Sequence, residues 1–344
     1  MPKRVLSQIQ KNWRSMSSKS RKLSYGLAIK EALDQMMSVD KSVFLIGQGC
    51  TSPWYVGNTT RGLLEKFGQK RVIDTPVSEN AITGAAVGAA IAGMRPIVVH
   101  PRMDFMLYAA DPIINEAANW HYMFGGNSSV PMVIWSIINR GGEQAAQHSQ
   151  ALQAIFTHIP GLKVVMPSNP YDAKGLLISA IKDENPVLYI DDRWLYKIEG
   201  EVPEEIYAVP IGKGKIIRKG KDITIVASSY TLQEATEAVK NLAREGIDAE
   251  LIDLRSLKPL DTNLLFASVK KTGRLIVVDG GWKTCGIAGE ISALVSENIF
   301  EHLKTPIKRI TLPDTPAPAS SVLEKIYYPK AKDICEAVKK ICTR

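Results

Sequence analysis

The chain has few cysteines, no paired histidines, no long apolar run and, at its start, no acids. Cys50, Cys285, Cys335 and Cys342 are its only cysteines, and they show neither framework nor metal-ligand spacing. That argues against a disulfide-stapled fold and suits a reducing compartment. His100, His121, His148, His158 and His302 include no short-spaced pair, which speaks against a catalytic zinc. The longest small or apolar stretch, 81–94, is far too short to span a membrane. No acidic residue precedes Glu31, whereas Lys3, Arg4, Lys11, Arg14, Lys19, Arg21 and Lys22 all do. Those seven account for most of the formal net charge of +8, and the rest of the chain is nearly neutral. A nucleic-acid face needs basic residues clustered on the folded domain itself, so none is expected. Residues 1–22 form a basic extension with Val5, Leu6, Ile9, Trp13 and Met16 at roughly helical spacing. It reads either as a transit peptide to the mitochondrial matrix or as a basic arm docking on a partner subunit of a cytoplasmic protein.

What is present fits a soluble globular protein: 45 % hydrophobic and 23 % charged residues, over a length that accommodates two domains. Short apolar runs at 42–49, 71–74, 95–100, 130–138, 162–166 and 186–190 alternate with helical patterns at 25–37, 81–93, 111–124, 152–155 and 171–182. Continuous apolar strands between helices indicate parallel sheets covered on both faces. The acidic, proline-bearing stretch 196–210 reads as a boundary, after which the alternation restarts at 222–228. The expectation is an α/β protein of two doubly wound domains with mostly parallel sheets, at 23–200 and 210–344.

Ligands of such sheets bind beyond the carboxyl ends of the strands, so the loops there hold the candidate groups. Asp74-Thr75-Pro76-Val77-Ser78-Glu79-Asn80 opens a helix whose next turns carry Gly84, Ala85, Ala86, Gly88, Ala89, Ala90, Ala92 and Gly93. Ser78 is the natural cap. So many small residues imply another backbone packed very close, which places Glu79 at a crowded, dry junction. Desolvation there favours the protonated carboxyl, which can donate a hydrogen bond to a ligand's ring nitrogen. The plainer reading is an ionised carboxylate at a helix start. The next loop ends in Asp104 and Phe105, a ring able to stack on a flat heterocycle or to serve the core. The third, 140–150, is polar and glycine-bearing and carries His148. A histidine on a strand-end loop is a candidate acid or base.

The strings RVIDTPVSEN, MRPIVV, GGEQAAQHSQ, HIPGLKVVMPSNPYDAKGLL, DENPVLYI and IDLRSLKPLD make the chain, from about Leu23 onward, resemble one family. It is the beta subunit of the thiamine-diphosphate-dependent first component of 2-oxo acid dehydrogenase complexes, in the transketolase superfamily. The resemblance implies a transketolase pyrimidine-binding domain followed by a transketolase C-terminal domain. It implies oxidative decarboxylation of a 2-oxo acid with acyl transfer to a lipoyl group. By position, Glu79 matches the Glu that hydrogen-bonds the 1′ nitrogen of the cofactor's aminopyrimidine, and Phe105 matches the aromatic that stacks on that ring. His148 matches the His that orients substrate and lipoyl group. Carbonyls of Met132, Ala180, Asp183 and Asn185 match a structural potassium site of some relatives.

Two departures and one absence qualify the match. Gln48, within Gly47-Gln48-Gly49, and Val99 stand where the family usually has acids, and His100-Pro101-Arg102-Met103 is unusual. The Gly-Asp-Gly and downstream Asn that hold the diphosphate and magnesium are missing, and Asp279-Gly280-Gly281 does not replace them. The family resemblance therefore implies an alpha subunit that completes the site for thiamine diphosphate and magnesium. It also implies a two-alpha, two-beta heterotetramer and a lipoyl acyltransferase core as further partner. Two other readings stay open: the C-terminal half of a split transketolase-type ketol transferase, with Arg102 and His100 as phosphate contacts, or a non-catalytic scaffolding subunit.

Overall fold

The computed structural model describes residues 21–343. Most of the basic extension lies outside the described residues. Arg21 and Lys22, counted with it above, instead begin strand β1 (Arg21–Ser24). The first half of the chain then supplies β2 (Val43–Gln48), β3 (Val72–Thr75), β4 (Arg95–His100), β5 (Val133–Ile138), β6 (Lys163–Val165), β7 (Val187–Asp192) and β8 (Glu199–Val202). The second half supplies β9 (Lys215–Arg218), β10 (Ile223–Ala227), β11 (Ala249–Asp253), β12 (Ser256–Lys258), β13 (Leu275–Trp282) and β14 (Lys308–Leu312).

Strands β4, β5 and β7 are buried almost throughout, as continuous Val/Ile runs require of strands covered on both faces. They form the middle of a seven-stranded sheet in the order β12-β6-β7-β5-β4-β2-β3, parallel except for β12. The second sheet has the order β14-β13-β10-β11-β9, parallel except for edge strand β9. β1 and β8 pair antiparallel beside them, so 199–202, within the expected linker, is a strand.

Helix Tyr25–Val39 buries Tyr25, Ala28, Ile29, Ala32, Leu33, Met36 and Met37, one stripe at three- and four-residue spacing, and Ser24 caps it by accepting from Leu27 N at 3.4 Å. Helix Pro170–Lys182 starts on Asn169, whose side chain accepts from Asp172 N at 2.9 Å, with Pro170 in the first turn. The stretch expected as one helix over 111–124 is a wide π-type turn, Pro112–Ala117, running into helix Ala118–Met123. No helix among the described residues is long and apolar enough to cross a membrane.

β12 is the element that ties the halves together. It follows β11 in the chain but leaves the second sheet and extends the first, beside β6. Arg255, immediately before it, donates to the buried Asp172 at 2.8 Å, and Ser168 donates to Asp253 at 2.9 Å. Lys258 donates to the carbonyls of Thr157 and Ile159 at 2.8 and 2.7 Å. Gln153 of the first half donates to Asp279 of the second at 2.8 Å.

Candidate active site

Because β2, β3, β4 and β5 run parallel, their carboxyl ends deliver Gln48, Thr75, His100 and Ile138 to one edge of the sheet. Glu79 is the first residue of helix Glu79–Ile91, which returns the chain from β3 to β4. Two expectations about this helix need correction. Ser78 is exposed and makes no capping hydrogen bond. The helix packs through Ile82, Thr83, Ala86, Val87 and Ala90, while a methyl group built on Gly84 or Gly88 meets nothing within 4 Å. The small-residue face is thus open in this chain, and Glu79 is half-buried rather than enclosed.

Glu79 shares a narrow cavity with Gln48, Ile82, Val99, His100, Pro101, Arg102 and Phe105. Its free space of about 10 Å³ admits about one water. Both departures noted above, Gln48 and Val99, face this cavity, so Glu79 is the one carboxyl in its lining. His100 is fully buried and lies 3.2 Å from Thr83 Oγ1. Burial pushes its pKa down to about 4, so the ring is neutral at pH 7. Asp104 is also buried, and desolvation raises its pKa against the hydrogen bonds from Gln150.

Phe105 links this cavity to the third loop: its ring meets that of His148 edge-on, 5.3 Å between centroids. The structure therefore brings Glu79, Phe105 and His148 to one place. Loop 139–150 needs backbone freedom to do so. Gly141, Gly142, Glu143 and Ala145 all have positive φ, and a side chain on Gly141 would collide with Trp194 at 2.9 Å. The loop is anchored by Arg140, which donates to the buried Asp192 at 2.6 Å and to Gly280 O at 3.0 Å and lies 4.5 Å from the Tyr230 ring. Glu143 N and the Glu324 carboxylate meet at 3.3 Å, fixing the loop's far side.

Three of the four carbonyls expected to hold potassium, those of Met132, Ala180 and Asp183, have other partners. Met132 O accepts from Val187 N at 3.0 Å, Ala180 O from Asp183 N at 3.3 Å, and Asp183 O from Arg95 Nη1 at 3.0 Å, which also takes Ile181 O. A carbonyl has two lone pairs, so these bonds leave capacity, but the guanidinium of Arg95 already supplies a cation where Ile181 and Asp183 converge. Asn185 donates its N–H to Asp183 Oδ1 at 2.9 Å. Among the described residues no group of three or more His, Cys, Asp or Glu side chains is placed to hold a metal. Asp279 is spent on structure, accepting from Gly281 N at 3.0 Å and from Gln153. Cys50 is a buried thiol pushed up to about 12 by desolvation, a packing residue.

Sequence reasoning missed Arg140 and Arg193, which join Arg102 around a second cavity of about 160 Å³ beside the first. The available signal was positional: each follows the end of a buried strand, as His148 does.

Two parallel α/β units with a half-buried carboxyl at a helix start, facing an aromatic and a histidine, define a chain of transketolase type. Residues 21–198 match the transketolase pyrimidine binding domain, and residues 212–334 the transketolase C-terminal domain. The chain is 48 % identical over 331 residues to the beta subunit of acetoin:2,6-dichlorophenolindophenol oxidoreductase of Cupriavidus necator, covering 93 % of this chain and 98 % of that protein. It is 43 % identical over 315 residues to the pyruvate dehydrogenase E1 component subunit beta of Rickettsia felis, covering 92 % and 97 %. A solved chain described as a split gene transketolase, inactive beta4 tetramer, shares the fold with a TM-score of 0.77 at 22 % identity, covering 93 % of this chain and 98 % of that one. The chain belongs to the family of beta subunits of 2-oxo acid dehydrogenases, within the transketolase-like proteins.

Proposed function

We propose that this chain is the beta half of an enzyme that oxidatively decarboxylates a 2-oxo acid with thiamine diphosphate and passes the acyl group to a lipoyl acceptor. The observation that carries the reading is that Glu79 and Phe105 line one cavity and that the Phe105 ring meets His148 edge-on. The cofactor, when bound, would supply a nucleophilic carbon and an electron sink for decarboxylation. Glu79 holds a proton at the pyrimidine 1′ nitrogen. Phe105 gives that ring a flat apolar wall, and Ile82 and Val99 exclude water beside it. His148, half-buried on a loop after a different strand, orients the substrate and the incoming acceptor.

In this chain the Glu79 cavity admits only about one water, so its side chains offer contacts for the pyrimidine end of the cofactor rather than a formed pocket. Among the described residues no group of three or more His, Cys, Asp or Glu gathers to hold magnesium. An alpha subunit completes the site with magnesium, most simply as a two-alpha, two-beta assembly docked on a lipoyl acyltransferase core. The split-transketolase reading is not favoured, because the relatives at 43–48 % identity are dehydrogenase beta subunits. The test is calorimetry with thiamine diphosphate and magnesium, on the chain alone and with its alpha partner, followed by turnover on a panel of 2-oxo acids. The chain alone should bind negligibly. Micromolar binding without the partner would sink the shared-site reading.

A further inference from the structure

Arginine cannot shed its charge inside a protein, so a buried guanidinium without a carboxylate asks for an anion. Three guanidiniums, of Arg102, Arg140 and Arg193, line the 160 Å³ cavity with Trp54, Asn139, Gly141 and Gln144. Among the described residues only Arg140 has a carboxylate partner, Asp192. Arg102 is 7 % exposed, yet its one bond is from Nη1 to the carbonyl of its own neighbour Pro101, at 2.8 Å. Among the described residues its Nε has no partner, nor do Nε of Arg193 and Nη2 of Arg140. Arg193 is held in place by the carbonyls of Trp54, at 3.0 Å, and Tyr55.

Asp104 and Asp191 lie near this cluster, but among the described residues neither forms an ion pair with its guanidiniums. Asp104 accepts from Gln150 N, and burial raises its pKa. Asp191 accepts from Trp135 and Tyr196, both at 3.0 Å, and burial pushes its pKa up to about 7. Burial and then the charge of Arg193 pull Arg102 below the ordinary guanidinium value. Fixed donors, excess positive charge and free volume thus coincide.

We propose that Arg102 and Arg193, with Asn139, Gln144 and Trp54 around them, form a subsite for an anionic group that the substrate carries away from its reacting carbon. Carboxylate and phosphate share the required chemistry, a flat or tetrahedral set of oxygens matching guanidinium forks. Arg102 also lines the cavity of Glu79, so a ligand reaching from the reacting centre passes it. The substrate class is a 2-oxo acid with a second anionic end. The choice of a 2-oxo acid rests on the proposed function; the anion site does not.

The experiment compares pyruvate, 2-oxoglutarate and 3-phosphohydroxypyruvate as substrates of the complex assembled with its alpha subunit. Wild type should favour an anionic tail, and which of the two is favoured distinguishes carboxylate from phosphate. Arg193→Gln should lower the ratio of kcat/KM for the anionic tail over pyruvate by roughly ten- to a hundredfold, the range of a lost charged hydrogen bond. Arg102→Gln should act alike, with Arg193→Lys intermediate because it keeps charge but loses the fork. Independently, inorganic phosphate should raise the melting temperature of the chain alone, and Arg193→Gln should abolish that rise. A wild-type preference for pyruvate, with the ratio unmoved in both Gln variants, overturns the inference while leaving the proposed function intact. A complex inactive on all three acids, with the phosphate rise present in wild type and absent in Arg193→Gln, supports the anion site and removes the proposed reaction instead.

Discussion

Replacing Arg255 with Met tests whether one buried ion pair locks the two halves of the chain. Arg255 donates from Nη1 to Asp172 Oδ1 at 2.8 Å, from Nε to Lys213 O at 3.1 Å and from Nη2 to Gly214 O at 3.1 Å. Asp172 is completely buried, and its other oxygen accepts only from Asn169 at 2.6 Å. Methionine keeps the stem and the same positive-φ backbone, so packing and strain change little, but it leaves Asp172 buried with one neutral donor. Removing one partner of a buried pair costs about 3–5 kcal/mol. At roughly 2–4 °C per kcal/mol for domains of this size, the melting temperature should drop by roughly 6–20 °C. A two-domain chain need not unfold in one step, so calorimetry should be read beside hydrogen exchange at β12 and Met166, whose N–H donates to Arg255 O at 2.7 Å. Those amides should lose protection first. The double variant Arg255→Met/Asp172→Leu should recover most of the loss, since it removes the stranded charge. A fall under about 2 °C, roughly the size of an exposed pair, or a double variant no better than the single, refutes the reasoning.

Glu79→Gln keeps the shape of the side chain but cannot pass a proton, so hydrogen–deuterium exchange at the thiazolium carbon in the reconstituted complex should slow by several orders of magnitude, with melting unchanged. Wild-type exchange would reduce Glu79 to a helix-start residue. His148→Ala should leave cofactor affinity nearly unaltered and lower turnover about a hundredfold or more; loss of affinity with normal saturated turnover would contradict its role. Asp253 is pushed up to about 7, first by burial and then by Asp172. As an acid whose folded value is raised, it contributes stability below the ordinary carboxyl range near pH 4 that is lost as pH climbs to about 7. Denaturant midpoints of wild type should therefore fall more steeply between pH 4.5 and 7.5 than those of Asp253→Asn; parallel slopes would remove Asp253 as the titrating group.

The central strands were legible because burial on both faces writes a continuous apolar run, as in 95–100 and 130–138. Strands β1, β8, β9 and β12 were not, because three or four residues at a sheet edge carry no periodicity that distinguishes them from loop. β12 is the sharper case: its partner lies in the other half of the chain, and only tertiary contacts of Arg255 and Lys258 place it there. Glu79 and His148 stood out because specific strings carry them, and Phe105 because it lies on the loop after a buried strand. Arg140 and Arg193 escaped, since an arginine after a strand reads as an exposed charge until the fold buries it.

The open face of helix Glu79–Ile91 bears on how the site at Glu79 is closed. Glycine inside a helix costs roughly 0.5–1 kcal/mol relative to alanine, and nothing in the described chain occupies the space above Gly84 or Gly88 to offset that cost. A surface outside this chain that approached the backbone closely would offset it. Glu79 heads the same helix and is half-buried without such a cover. On the proposed function, a partner subunit seated on that face would cover Gly84, Gly88 and the head of the helix together, so that assembly and closure of the site at Glu79 would be one event.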